Sequence, residues 1–176
     1  YDAFLAMRYS KPYMHEVLEH IRKEGYGQIL LFPLFPQYAS STSGSIFQAA
    51  FRHMQNWYVF PNVRTISQFY RHPAFIRAFA EKGRQYRPET YDHIVFSYHG
   101  LPKRQVDKVH PGIDSDSCSC ASETPPHGHF CYKNAAYETT RLLREALQIP
   151  EAKTTVAFQS RLSDKWLQPF TDEVIK

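Results

Sequence analysis

The sequence of 176 residues lacks several features that assign a chain to a class at first sight. It has no run of about 18 apolar residues, so it predicts no membrane-spanning helix. It has no Lys/Arg block and no nucleic-acid-binding motif, and its net charge of +4 is spread along the chain. This pattern does not indicate nucleic acid as a partner. We find no secretory signal and no internal repeat.

An initiator methionine is also missing, because the chain begins with Tyr1. The chain ends with "TDEVIK", which is typical of the opening turn of a helix. We therefore expect a fragment of a longer protein. Aromatic residues, in contrast, make up 15% of the chain. They indicate either an aromatic core or a pocket lined for a flat apolar ligand, and composition alone favours the core.

Apolar residues at helical spacing alternate with short apolar runs along the whole chain. The spacing predicts helices over 11–25, 44–57, 72–86 and 134–149. The apolar runs predict strands over 28–36, 63–69, 92–98 and 153–161. Ser10 is the expected N-cap of the first helix, and Gly25 its expected end. Such alternation is typical of an α/β fold in which helices cover a parallel sheet.

Three unusual segments follow predicted strands, at the edge where parallel α/β sheets bind their ligands. They are "PQYASSTSGS" (36–45), "HGLP" (99–102) and "QSR" (159–161). We expect all three to meet at one edge. His99 ends an apolar strand there, and a neutral imidazole accepts a proton or binds a metal. A purely structural histidine is the alternative.

Other candidates give weaker signals from the residues alone. The hydroxyl-rich segment has two interpretations that can hold together: Ser43 or Ser45 is the N-cap of a helix, and the segment is an anion or carboxylate site at the helix start. Arg8 beside Tyr9 is either a surface pair or a guanidinium for a carboxylate. Trp166 is either a core residue or a side chain that stacks on a planar ligand.

All three cysteines lie in the least globular stretch, residues 107–131. They are Cys118, Cys120 and Cys131. Three cysteines cannot all pair in disulfides, and their spacing is not that of a standard zinc finger. They are either reduced thiols in a mobile loop or ligands of a metal. Three thiolates are one short of the usual four ligands of an iron–sulfur cluster, and the candidates for the fourth are His127, His129 and a cysteine outside the chain. Zinc, a cluster and no metal all stay open.

Several longer motifs occur together and in a specific order. They are "MRYSKP", "FPQYASSTSGS", "SQFYRHPAF", "FSYHGLP", "TTRLL", "FQSR" and "WLQPFTDE". Over essentially its whole length, the chain resembles the ferrochelatases. The resemblance implies a chelatase-like α/β fold of two doubly wound halves, with residues 1–88 ending the first half and 89–176 beginning the second. It implies insertion of ferrous iron into protoporphyrin IX or coproporphyrin III in haem biosynthesis.

The resemblance also implies roles for individual residues. His99 matches the family's active-site histidine, which accepts a pyrrole proton or contacts the iron substrate. The implied porphyrin-binding residues are Arg8, Tyr9, Tyr38, Ser41, Thr42 and Trp166. The family also uses an acidic residue in a region beyond Lys176. We therefore expect this chain alone to be inactive and poorly folded.

Some bacterial ferrochelatases carry cysteines in an internal insertion that bind a 2Fe–2S cluster. Residues 114–131 resemble such an insertion, which implies a 2Fe–2S cofactor on the three cysteines, in addition to Fe²⁺ as substrate. Ser40 stands where animal-type members have a cluster cysteine, so we do not expect a cluster of that type.

We expect a cytoplasmic protein and leave peripheral contact with the inner membrane open. Three alternatives to a ferrochelatase remain. One is a chelatase for another metal or tetrapyrrole, such as a cobalt chelatase. The second is a non-catalytic porphyrin or haem binder, and the third is a small metal-binding module built on the cysteine loop.

Overall fold

The computed structural model describes residues 1–176, apart from the side chain of His127. Its α-helices are α1 (Met14–Lys23), α2 (Ser45–Met54), α3 (Pro73–Arg84), α4 (Lys103–Asp107), α5 (Tyr132–Leu147) and α6 (Thr171–Val174). Its strands are β1 (Gln28–Leu31), β2 (Asn62–Thr65), β3 (Ile94–His99) and β4 (Thr154–Gln159). A helix or strand forms at every predicted place, but β1 and β2 are shorter than predicted and end at Leu31 and Thr65. The expected C-terminal helix opening is α6, and α4 is an addition.

The described strands pair in parallel, β1 with β2 and β3 with β4. Two compact units contain these pairs, the N-terminal unit Tyr1–Gln68 and the C-terminal unit Phe69–Lys176. Parallel strands need a crossover connection, which α2 provides in the first unit and α5 in the second. The prediction of a parallel α/β fold is therefore confirmed within each unit.

Apolar faces of two helices and one strand form the core of the N-terminal unit. The buried residues are Met14, Leu18 and Ile21 of α1, Ile29 of β1, and Ala49, Ala50 and Met54 of α2. The three α1 residues follow one another at intervals of four and three positions, so one face of the helix is buried.

The first helix begins later than its predicted N-cap. Met7 donates its N–H to the Pro12 carbonyl at 2.8 Å and accepts the Met14 N–H at 3.0 Å, and Tyr13 takes the N-cap position. The N-cap prediction for Ser10 is therefore wrong. Gly25 follows the helix at φ +73°, a left-handed conformation that glycine adopts without strain, as predicted.

In the C-terminal unit, α5 packs against α3 and β4. The Arg84 guanidinium, in the last turn of α3, donates to the Ala146 carbonyl of α5 at 2.7 Å. Strand β4 contributes Val156, Ala157 and Phe158 to the buried interior. The core of this unit therefore lies between the β3–β4 pair and α5.

Along the chain, the boundary between the two compact units falls between Gln68 and Phe69. Because α3 packs on α5, this helix belongs to the C-terminal unit. The predicted division into 1–88 and 89–176 concerns the two halves of a full-length chelatase fold, and it stays a prediction.

The stretch after β3 contains more secondary structure than a bare loop. Helix α4 opens it, and short 3₁₀ turns follow at Ser119–Ala121 and Pro126–Phe130. The Asp107 carboxylate accepts the Ser115 N–H at 2.7 Å, which closes the first part of the stretch. None of the helices in the described part of the chain has the length and apolar character needed to cross a bilayer.

Candidate functional site

Strand β3 presents His99 at the carboxyl end of a parallel pair. His99 is the last residue of β3 and pairs in register with Gln159, the last residue of β4. The His99 side chain is exposed. Because both strands end at one edge, the segments that follow them lie together, as predicted. The segment 36–45 belongs to the N-terminal unit, and its place at this edge stays a prediction.

Trp166 lies beside His99 because the chain after β4 returns along the segment that follows β3. Pro102 and Trp166 form an antiparallel bridge, and the Leu167 N–H donates to the Leu101 carbonyl at 2.9 Å. The centroids of the His99 and Trp166 rings are 6.5 Å apart in an edge arrangement. Trp166 is half-buried, so part of its indole is open to solvent. The structure thus brings two predicted site residues together.

Gly100 permits this close packing at the strand end. Its N–H donates to the Gln159 carbonyl at 2.8 Å. A Cβ at position 100 would lie 2.9 Å from the Gln159 carbonyl oxygen and 3.3 Å from the Trp166 ring. Both distances are shorter than ordinary van der Waals contact, so a side chain here would push the two strand ends apart.

The segment after Trp166 is fastened to the end of β4 by Arg161. The Arg161 guanidinium donates to the carboxylates of Glu173 and Asp172 at 2.9 and 3.0 Å. It also lies 4.0 Å from the centroid of the Phe170 ring, within the range of a cation–π contact. The motifs "FQSR" and "WLQPFTDE" are therefore neighbours in space, and together they place Trp166.

Tyr132 holds the same strand end from α5. Its hydroxyl donates to the His99 carbonyl oxygen at 2.8 Å. Burial raises the pKa of Tyr132 to about 12, so the hydroxyl keeps its proton at neutral pH and remains a donor. The backbone of His99 is thus held by α5 as well as by β4.

Replacing Tyr132 by phenylalanine in the full-length protein removes this donor and keeps the ring. We expect the free energy of unfolding to fall by about 0.5–1.5 kcal/mol, the usual net value of one hydrogen bond. Urea unfolding measures it, and Tyr86→Phe, at an exposed tyrosine, is the matched control. Equal stability of Tyr132→Phe and the wild type would contradict this role of the hydroxyl.

The N-terminal unit carries the other predicted substrate-binding residues. The Arg8 guanidinium lies 5.0 Å from the centroid of the Tyr9 ring, and its Nε donates to the Ser45 hydroxyl at 3.5 Å. Arg8 and Tyr9 are both exposed. The pair therefore lies at the start of α2 with its polar groups open to a ligand.

A π-helical turn, Ser40–Gly44, carries the hydroxyl-rich segment into α2. The Thr42 hydroxyl donates to the Ala39 carbonyl at 3.3 Å, whereas Ser41 is exposed. Tyr38 packs so closely that a Cβ on Gly44 would lie 2.9 Å from its hydroxyl. Turns of this kind are frequent at functional sites.

The start of α2 differs from its predicted capping. Gly44 occupies the N-cap position, and among the described residues no side chain caps this helix. The N-cap prediction for Ser43 or Ser45 is therefore wrong, because the π-helical turn leads directly into the helix. Ser43 is fully buried, and Ser45 accepts the bond from Arg8.

A second candidate site lies in the stretch 107–131. Among the described side chains, the thiols of Cys118, Cys120 and Cys131 and an imidazole nitrogen of His110 all lie within 4.8 Å of one another. We call this group the Cys₃His cluster. All four residues are buried, and the three cysteines are free. Three sulfurs and one imidazole nitrogen make up a common metal-ligand set.

Helix α5 supports the cluster at its first turn. Cys131 is the N-cap of α5, and its sulfur accepts the Asn134 N–H at 3.5 Å. The Asn134 side-chain amide donates to the carbonyls of Cys120 and Glu123 at 3.2 and 2.9 Å. These bonds tie the insertion to α5, and the helix N-terminus favours a thiolate at Cys131.

The third thiol lies next to a positive charge. The Cys118 thiol donates to the Ser115 carbonyl at 3.4 Å, and the Lys133 ammonium donates to the same oxygen at 2.7 Å. Cys118 and Lys133 therefore share one acceptor, which places the ammonium near the cluster.

Two of the three thiols resist ionisation in this packing. Burial raises the pKa of Cys120, and the nearby thiols of Cys131 and Cys118 raise it further. Burial also raises the pKa of Cys131. Several thiolates form side by side in such a site only when a cation compensates their charge.

His110 is the member of the Cys₃His cluster that sequence reasoning missed. It precedes the cysteines and follows α4, where its N–H donates to the Asp107 carbonyl at 3.0 Å. The candidate His129 is exposed, stacks edge-on against Phe130, and is not a member of the cluster. The candidate His127 lies outside the described side chains. His110 lies in the same 107–131 stretch as the cysteines, and that nearness was its one signal.

The C-terminal unit is thus an α/β body. Its parallel strand pair ends at an exposed histidine with an indole beside it, and a folded insertion follows the first of these strands. This arrangement defines the class of α/β proteins that bind ligands at the carboxyl ends of their strands. The family model for ferrochelatase matches residues 1–176, and the chain belongs to the ferrochelatase family.

Relatives agree with this assignment. The chain is 35% identical over 173 residues to the ferrochelatase of Pseudomonas putida strain KT2440. The matched region covers 96% of this chain and 51% of that protein. It is 33% identical over 175 residues to the ferrochelatase of Legionella pneumophila strain Philadelphia 1, covering 99% of this chain and 51% of that protein. The chain spans about half the length of the curated relatives it matches.

Proposed function

We propose that the full-length protein inserts ferrous iron into a porphyrin, the last or near-last step of haem synthesis. Family membership over residues 1–176 supports the reaction class. The observation that carries the proposal is the exposed His99 at the end of a parallel strand pair, with the Trp166 ring 6.5 Å away. A flat aromatic substrate suits an indole at that position.

His99 acts on the protons of the macrocycle. Insertion of Fe²⁺ exchanges two pyrrole N–H protons for one metal ion, so the site needs a group that accepts protons. A neutral imidazole does so near physiological pH, and it also binds a divalent metal. His99 accepts a pyrrole proton, and its second role is a passing contact with the iron substrate. Trp166 stacks on the macrocycle.

Residues of the N-terminal unit bind the porphyrin. They are Arg8, Tyr9, Tyr38, Ser41 and Thr42. A porphyrin is apolar in its plane and carries carboxylates at its edge, so a guanidinium and hydroxyl groups suit its rim. The exposed Arg8–Tyr9 pair at the start of α2 supports this assignment.

The predicted 2Fe–2S cofactor is not part of this proposal. Such a cluster takes four protein ligands, two at each end of a unit with two irons. The Cys₃His cluster holds its four ligand atoms within 4.8 Å of one another, which is compact for that shape.

A cytoplasmic location and a peripheral membrane contact stay predictions, which cell fractionation tests.

Anaerobic metallation by the full-length protein tests the function. Ferrous iron is added to protoporphyrin IX or coproporphyrin III, and the absorbance change on metallation is followed with and without protein. We expect iron insertion to depend on the protein. Faster insertion of Co²⁺ than of Fe²⁺ would favour a cobalt chelatase. Porphyrin binding without insertion of either metal would overturn the proposal in favour of a porphyrin-binding protein.

A further inference from the structure

The dimensions of the Cys₃His cluster fit one metal ion. In a tetrahedral zinc site with Zn–S bonds near 2.3 Å, neighbouring ligand atoms lie about 3.6–3.8 Å apart. The Cys120 sulfur lies 3.8 Å from the Nε2 atom of His110, and all four ligand atoms lie within 4.8 Å of one another. The cluster therefore needs only small side-chain movements to close on a single ion.

The same dimensions disfavour a 2Fe–2S cluster. In that cofactor, two irons bridged by two sulfides separate one pair of ligands from the other, so ligands at opposite ends are farther apart than two ligands of one ion. The four atoms here show no separation into two distant pairs. Sulfur-rich tetrahedral sites bind zinc or iron–sulfur centres, and the compact arrangement favours a single ion. Zinc is the usual single ion in structural Cys₃His sites.

We propose that His110, Cys118, Cys120 and Cys131 bind one tetrahedral Zn²⁺ ion as a resident structural metal, separate from the iron substrate. Zn²⁺ replaces the protons of three thiols, so three protons are released and a centre of net charge −1 remains. The Lys133 ammonium, 2.7 Å from the Ser115 carbonyl oxygen that Cys118 also contacts, offsets this charge.

The ion joins the beginning and the end of the stretch 107–131. His110 lies just after α4, whereas Cys131 is the N-cap of α5. Tyr132, the next residue, donates to the His99 carbonyl oxygen. The metal therefore fixes the first turn of α5, and through Tyr132 it holds the strand end that carries His99. This last consequence rests on the proposed function of His99, whereas metal binding itself does not.

Metal analysis of the full-length protein tests the site. We expect one zinc per chain, with no acid-labile sulfide. Replacement of zinc by Co²⁺ should give the strong visible bands of tetrahedral cobalt with thiolate ligands. Two irons and two sulfides per chain would overturn the proposal in favour of the 2Fe–2S cluster. Failure to retain zinc together with failure to bind added Co²⁺ would overturn it as well.

Variants of His110 test the fourth ligand. His110→Ala should weaken zinc binding by more than about 100-fold. Loss of a residue that only hydrogen-bonds to a metal ligand weakens binding by about 10–100-fold, so a larger loss indicates a direct ligand. His129→Ala, at an exposed histidine of the same insertion, should bind zinc as the wild type does. An unchanged affinity and cobalt spectrum in His110→Ala would exclude His110 as a ligand.

A second variant keeps the test decisive if His110→Ala does not fold. His110→Cys supplies a fourth thiolate, and we expect it to bind one zinc. Its cobalt spectrum should differ from that of the wild type, because four sulfurs replace three sulfurs and one nitrogen. Identical cobalt spectra for the two proteins would contradict a nitrogen ligand at position 110. These readouts do not depend on iron insertion, so failure of the zinc site and failure of the proposed function are told apart.

Discussion

The His99→Ala variant of the full-length protein should lose iron insertion while it keeps porphyrin binding. His99 is exposed at the end of β3, and its side chain is the proton acceptor in the proposed reaction. Loss of a positioned general base costs about 10²–10⁴-fold in rate. The strand should survive the change, because its ladder to β4 and the bond from Tyr132 use only the backbone of His99.

The measurement is anaerobic metallation followed by absorbance, alongside porphyrin binding. His93→Ala is the matched control, since His93 is exposed just before the other end of the same strand and bonds Thr155 at 2.9 Å. It should retain activity. Equal metallation rates for His99→Ala and the wild type would make His99 a structural residue. Loss of porphyrin binding in His99→Ala would assign it to substrate binding instead.

The Gly100→Ala variant should lose both stability and activity, although it adds only a methyl group. That group would lie 2.9 Å from the Gln159 carbonyl oxygen and 3.3 Å from the Trp166 ring. The backbone oxygen cannot move without disturbing the end of β4. Overpacking of this kind costs about 1–3 kcal/mol. Displacement of Trp166 from His99 by about 1 Å can lower the rate about 100-fold.

Gly27→Ala is the control for this substitution. Position 27 has open space around its Cα, so an added Cβ meets nothing within 4 Å. Urea unfolding should show a large loss for Gly100→Ala and little change for Gly27→Ala. Wild-type stability and activity in Gly100→Ala would show that the strand ends tolerate separation. The packing of Trp166 against this edge would then be irrelevant to the reaction.

Both predictions concern one strand end that is held from several directions. The backbone at Gly100 bonds β4, Trp166 packs across it, and Tyr132 reaches it from α5. Each contact joins residues far apart in the chain. We therefore expect even a small substitution at this strand end to change the position of the His99 side chain.

The sequence by itself determined the kind and order of the helices and strands. Apolar periodicity is a local property, so helices near α1, α2, α3 and α5 and four strands were predictable from residues a few positions apart. The end of an apolar strand at His99 was visible for the same reason, and so was the concentration of cysteines in one insertion. The order of the motifs also identified the ferrochelatase family, which the family comparison confirms.

Only the tertiary structure decided which distant residues meet. His110 joins the cysteines because the insertion folds back on the first turn of α5, and no local pattern distinguished it from the other histidines. Trp166 reaches His99 because the chain after β4 returns along residues 101–103. The path of the backbone brings such residues together across long separations in sequence. The spacing of residues along the chain does not predict that path.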